Sequence, residues 1–198
     1  MQFNKVTMKQ KLINLQTSSY EHPFDKAALE KVNAIPMLPK IVNFVMNWTV
    51  IKWKIVSMCG SNFHVTKGAC PDLAELSNEV FDILDLDRHP ELYMEQDYYI
   101  NAYTTGHQKD AFIVLSTGSV DRLDDGELQF VIGHEAGHIK SNHVLYHLMT
   151  AYLAQIVSAI PGASTVSLPL QTALWYWNRM SEFTADRAGL LACQDLNA

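Results

Sequence analysis

Two histidines and a glutamate stand together in His134-Glu135-Ala136-Gly137-His138. On a helix, positions four apart differ by about 40° around the axis and about 6 Å along it, so both imidazoles can reach one ion from the same face. Glu135 follows the first histidine, which sets its carboxylate beside such an ion and not on it. A general base must stand there to take a proton from water. Zinc lowers the pKa of a bound water to about 7, so the combination points to metal-assisted hydrolysis near neutral pH.

A catalytic zinc site needs a third protein ligand and an open position. In the metzincin pattern a third histidine falls six residues after the second. Here that position is Val144, the pattern's glycine is Ser141, and His143 is one residue out of place, so the three-histidine class is excluded. Glu182 is the better candidate, within Met180-Ser181-Glu182-Phe183-Thr184-Ala185-Asp186. Asp186 lies one helical turn on, where it can accept the free N–H of a ligand histidine and fix its tautomer. The plainer alternative is a solvated acidic face paired with Arg179 or Arg187. The upstream histidines tip the balance toward the ligand.

These residues need elements to hold them. Asp124 can cap a helix with Glu127 three residues on, and Leu128, Val131 and Ile132 can anchor it. A second helix is expected from about His143 to Ile160, ended by Pro161-Gly162, and a third from about Leu170 to Leu191. Tyr93 to Glu95, Tyr98 to Tyr103 and Ala111 to Leu115 are rich in aromatic and β-branched residues. They read as two or three antiparallel strands, with a polar turn at Thr105-Gly106-His107.

Earlier in the chain, a short helix is expected from Lys26 to Ala34, then breaks at Pro36 and Pro39. The apolar stretch Ile41 to Met58 carries Lys52 and Lys54, which suits an amphipathic helix. A seam falls at Cys59-Gly60-Ser61-Asn62. Pro71 fits a first helical position, with Leu73, Leu76, Val80, Phe81 and Leu84 at helical spacing. The expected fold class is α+β, mainly helical with a small antiparallel sheet. Residues 1–60 form a helical segment packing on a catalytic region, 61–198.

The 198 residues suffice for one domain with a sizeable core, and 48% are apolar. The net charge of −6 comes with no basic run, which disfavours nucleic acid as a partner. Cys59, Cys70 and Cys193 are few and widely spaced, so neither a disulfide framework nor a thiolate zinc site is indicated. Met1 to Thr7 has no signal-peptide run, and Val144 to Ile160 falls short of the roughly 20 residues a spanning helix needs. A location in the cytoplasm, or at the cytoplasmic face of a membrane, is expected.

Beyond the zinc residues, the sequence resembles the M48 family of zinc peptidases. The resemblance is carried by Asn101-Ala102-Tyr103, Phe112 to Gly118, Leu123 to Leu128, Gly133 to Ile139 and Arg179 to Gly189. It implies one zinc ion held by His134, His138 and Glu182, with Glu135 as base and Asp186 behind a ligand. It also implies that the strand of Asn101, Ala102 and Tyr103 lies along the cleft, where an extended peptide or protein substrate adds to a sheet edge. The activity implied is endopeptidase. The alternative is a weakly active or inactive zinc-binding, chaperone-like module of the same fold. The chain ends nine residues after Gly189, where the family continues with further helical sequence. That leaves two readings, a piece of a longer protein or a short form with an incompletely walled cleft.

Arg179 and His143 are near enough in sequence to be oxyanion stabilisers. His147 reads as a satisfied core histidine, and at least one of Trp175 and Trp177 as core packing. Cys59 or Cys70 capping the zinc is the minor alternative to their being small buried apolar residues. The Ile41 to Met58 stretch, with Trp48 and Trp53, is expected to serve core packing, ahead of covering the catalytic domain, contacting a membrane or shielding the cleft.

Overall fold

The computed structural model describes residues 9–47, 49–106 and 110–196, so Trp48 and His107 lie outside the described residues. The architecture is mainly helical with one small sheet. Helices α1 (Pro23–Asn33), α2 (Leu38–Asn47) and α3 (Thr49–Ser61) precede strand β1 (Phe63–His64) and helix α4 (Pro71–Ile83). Strands β2 (Glu91–Glu95), β3 (Ala102–Thr105) and β4 (Phe112–Ser116) follow. The remainder is helical: α5 (Thr117–Arg122), α6 (Asp125–Lys140), α7 (Val144–Ala151), α8 (Leu153–Ala159) and α9 (Ser167–Cys193).

The sheet has the order β1-β2-β4-β3 and is mixed, not wholly antiparallel. β1 pairs antiparallel with β2 and β3 antiparallel with β4, but β2 and β4 run parallel. The reason is visible in β4, whose five residues are all buried. A strand apolar on both faces belongs in the interior of a sheet. β4 therefore inserts between β2 and β3, leaving β3 as an edge.

Among the described residues two large apolar clusters form most of the core, with a smaller one of Tyr93, Phe112 and Val114 on the sheet. Ala28, Val32, Ile41 and Val45 meet Met149, Ile156, Leu170, Leu174 and Trp177 in an all-helical cluster. Phe81 and Leu84 meet Leu92, Ile113, Leu115, Ile132, Ala136 and Ala192 in a cluster of helices on the sheet. The 27-residue α9 contributes to both, its N-terminal half to the first and its C-terminal half to the second. Trp177 is fully buried while Trp175 is exposed, so one of the pair is core.

α1 starts at Pro23, three residues earlier than the periodicity indicated, because the His22 Nδ1 accepts from the Phe24 N–H and caps it. The helix expected from His143 to Ile160 is broken at Tyr152, with φ −113° and ψ 18°. Met149 on α7 and both Leu153 and Ile156 on α8 still face one cluster, as their spacing of four and then three residues would place them on a continuous helix. Among the described residues no helix is long and apolar enough to cross a membrane.

Candidate metal centre

The helix α6 carries His134, Glu135 and His138, and its ends are well defined. Asp124 Oδ1 accepts from Glu127 N–H and Glu127 Oε2 from Asp124 N–H, both at 2.9 Å, which satisfies two N–H groups at the helix start. The other end closes on Asn142, held at φ +58°. There Asn142 N–H bonds to Ile139 C=O at 3.1 Å and His143 N–H to His138 C=O at 2.9 Å. This pair of reversed bonds around a left-handed residue folds the chain sharply back over the last turn. His143 thus comes to lie against His138, with ring centroids 5.2 Å apart.

α9 packs on α6 at very short range. A Cβ on Gly133 would lie 2.4 Å from the Ala192 Cβ, and one on Gly137 would lie 2.5 Å from the Ala188 Cβ. Only a bare backbone permits that approach. The closeness lets the Glu182 carboxylate reach the histidine pair on the neighbouring helix.

Three atoms converge as a result. His134 Nε2 lies 3.2 Å from His138 Nε2 and 3.2 Å from Glu182 Oε2, and His138 Nε2 lies 3.7 Å from Glu182 Oε2. Donors held about 2.0–2.1 Å from a tetrahedral zinc stand roughly 3.4 Å from one another. The observed triangle brackets that value, so two imidazoles and a carboxylate fit the ion without rearrangement. On the outer side, His134 Nδ1 lies 3.1 Å from Asp186 Oδ1. A carboxylate can only accept, so that contact favours a proton on Nδ1 and leaves Nε2 as the atom that would face an ion.

Charge and burial shape the titration of these groups. Burial pushes Glu182 up, but the hydrogen bonds and charges of His134 and His138 win and hold it well below the usual carboxylate range. Burial likewise opposes the charged form of His134, and is overridden by Glu182, Glu135 and Asp186, which raise it. At His147 the opposing charge of Glu182 is too weak to prevail. Burial and the charges of His138 and His143 push it down to about 3.

Glu135 is buried beside the triangle, and Thr104 on β3 donates its hydroxyl to Glu135 Oε2 at 2.7 Å. The same hydroxyl lies 3.1 Å from the Glu135 carbonyl oxygen. The cleft is lined by Ala102, Tyr103 and Thr104 from the edge strand, by His134, Glu135 and His138, and by His147, Asn178 and Glu182.

The sequence profile described as Peptidase family M48 matches residues 70–198. The chain belongs to that family. It is 32% identical over 184 residues to the plastoglobule-localized metallopeptidase 48, chloroplastic, of Arabidopsis thaliana, covering 92% of this chain and 53% of that protein. It is also 30% identical over 87 residues to a protease HtpX homolog of Helicobacter acinonychis, 43% of this chain and 28% of the relative. A protease HtpX homolog of Bacteroides fragilis is 24% identical over 144 residues, 69% of this chain and 44% of the relative. The chain thus spans about half or less of the length of these curated relatives. No solved structure matches it.

The M48 chain gathers most, but not all, of the residues singled out from sequence. His134, Glu135, His138, Glu182 and Asp186 come together, and Ala102 and Tyr103 line the cleft with them. Asn101 stands just before β3, its backbone pinned by the hydroxyls of Ser116 and Ser119 at 3.1 and 2.9 Å. Arg179 is exposed and does not line the cleft. His143 is buried behind His138, on the side away from the triangle, with its Nδ1 at 3.0 Å from His138 Nδ1. His147 is part of the cleft wall as well as of the packing, 3.3 Å from His138 Nδ1. Cys59 and Cys70 are not among the cleft-lining residues.

Three residues escaped the sequence reading. Thr104 orients Glu135, Asn178 shares a hydrogen bond with His147, and Asp25 sits beneath the histidines with its Oδ2 at 3.2 Å from His143 Nε2. A polar residue next to the Asn101-Ala102-Tyr103 run was the one signal available for Thr104. For Asp25, in the first turn of a short amphipathic helix, there was none.

Proposed function

We propose that this chain is a zinc-dependent endopeptidase, with His134, His138 and Glu182 as ligands to one zinc ion and Glu135 as the base. The observation that carries the reading is the triangle of His134 Nε2, His138 Nε2 and Glu182 Oε2, with the Glu135 carboxylate on the next residue of the same helix. Zinc held there supplies Lewis acidity toward a carbonyl oxygen and makes water acidic enough to attack near neutral pH.

The protein's own groups do the rest. Thr104 holds Glu135 Oε2, which leaves Oε1 to take the proton of the attacking water and return it to the departing amine. Asp186 keeps the His134 proton on Nδ1. The exposed side of β3 accepts an extended peptide as a further strand, through the backbone of Ala102, Tyr103 and Thr104. In this reading residues 61–198 carry the chemistry, and residues 1–60 pack on them.

A recess of about 220 Å³ opens off the same cleft, lined by Ile55, Met58, Tyr103, Val144, Leu148 and Ala151 among others. It shares Tyr103, Thr104, Val144, His147 and Ala151 with the wall of the metal cleft. A large apolar side chain beside the scissile bond fits this chemistry, since burying it there gains the transfer free energy of its surface. Cleavage of an unbiased peptide library, with and without chelator, tests the reading. Chelator-sensitive cleavage next to large apolar residues is expected, and chelator-insensitive cleavage or none would count against it.

A further inference from the structure

Asp25 is a carboxylate with about 1% of its surface exposed, in a helix outside the region that matches the family profile. An ionised carboxylate so deeply buried is costly unless it is hydrogen-bonded. Its Oδ2 accepts from the Thr184 hydroxyl at 2.6 Å and lies 3.2 Å from His143 Nε2. His143 is itself buried, so its ring proton belongs on Nε2, facing the carboxylate. Its other nitrogen is then a lone pair. That lone pair faces His138 Nδ1 at 3.0 Å, and two imidazole nitrogens at that distance need one proton between them. The proton must come from His138.

We infer that Asp25, acting through His143, keeps the His138 proton on Nδ1 and so turns the Nε2 lone pair of His138 toward the ion. Asp25 and His143 are positioning residues. The inference rests on His138 being a zinc ligand, as in the function proposed above. It gives the two histidines parallel supports: Asp186 acts on His134 directly from an exposed position, and Asp25 acts on His138 through one intervening ring. The fold is arranged for this. The reversed cap at Asn142 places His143 over His138, and α1 is docked on α9 by the Thr184 hydroxyl, which also accepts from His22 N–H at 3.0 Å.

The same nitrogens allow one competing arrangement. His138 Nδ1, His143 Nδ1 and His147 Nε2 lie close enough together to hold a second cation. That would strip His138 of both ring protons, whereas a single proton on Nδ1 serves the contact at no such cost.

Nitrogen-15 NMR of the histidine rings in metal-free protein tests the inference, because protonated and bare ring nitrogens differ widely in shift. His138 is expected with the proton on Nδ1, and His134, which has a carboxylate facing each ring nitrogen, is expected to carry a proton on Nδ1 whether neutral or charged. Asp25→Asn, which removes the charge holding the His143 proton, is expected to move His138 toward Nε2–H and leave His134 unchanged. Asp186→Asn is expected to do the reverse. Zinc affinity of Asp25→Asn, measured by chelator competition, should fall about 10- to 100-fold.

Wild-type His138 protonated on Nε2 would overturn the inference, and that spectrum decides even if Asp25→Asn does not fold. So would an Asp25→Asn spectrum and affinity identical to wild type, or two zinc ions per chain with one lost in His147→Gln. The ring spectrum needs neither zinc nor turnover. An inactive chain therefore still tests the relay, and an active chain with His138 protonated on Nε2 refutes the relay alone.

Discussion

The Thr104 hydroxyl donates to the Glu135 carboxylate at 2.7 Å, joining the edge strand of the sheet to the proposed base on the metal helix. The contact fixes one carboxylate oxygen and thereby the direction of the other. In the proposed function, a substrate strand adding to β3 would be registered against the base by the same residue.

Thr104→Val removes that hydroxyl at nearly constant shape. A hydrogen bond to a charged group contributes about 1.5–3 kcal/mol, so kcat should fall about 10-fold or more while zinc remains bound. Thr104→Ser should keep most of the activity. Steady-state kinetics with zinc analysis on the three proteins checks this.

Gly137 is expected to tolerate no side chain. A Cβ there meets the Ala188 Cβ at 2.5 Å, so Gly137→Ala must push α9 away from α6. Overpacking of this kind costs about 1–3 kcal/mol. Thermal unfolding should show a lower Tm, and zinc affinity should fall with it because Glu182 rides on α9.

Acid should weaken the metal-free protein through His147. Its folded pKa is pushed down to about 3 by burial and by the charges of His138 and His143. In the unfolded chain it titrates near 6.5. Between these values the unfolded state binds the extra proton, so stability falls as pH drops from about 6.5 toward 3. The slope is at most about 1.4 kcal/mol per pH unit for this one group. The raised His134 works in the opposite direction. Denaturant unfolding at several pH values should show a shallower acid slope in His147→Gln than in wild type.

The recess beside the metal cleft should set a preference for one substrate side chain. Ala151 lines both the recess and the cleft and is exposed. Ala151→Phe should lower kcat/KM for peptides with a large apolar residue next to the scissile bond. Peptides with a small residue there should be spared. Equal losses on both would place the specificity elsewhere.

What was legible in the sequence follows from range. α6 and its site residues could be read because a helix repeats its chemistry every three to four positions, and His134, Glu135 and His138 lie within five residues. Glu182 and Asp186 were legible by residue type and spacing on a second helix. Thr104 to Glu135 spans 31 positions and Thr184 to Asp25 spans 159, and no local pattern encodes either contact. The parallel β2–β4 pair was missed for a similar reason. Alternation shows which residues form a strand, not which strand lies beside it. The break at Tyr152 has neither glycine nor proline to announce it.

The most direct measurement is peptide hydrolysis by Glu135→Gln, with zinc content determined on the same sample. The substitution keeps the size and polarity of the side chain and removes only its basicity. One zinc per chain with turnover reduced at least about 1,000-fold is the expected result, given the rate factors that a positioned base contributes. A zinc-loaded variant that hydrolyses peptides as fast as wild type would contradict the role of Glu135, and with it the proposed mechanism.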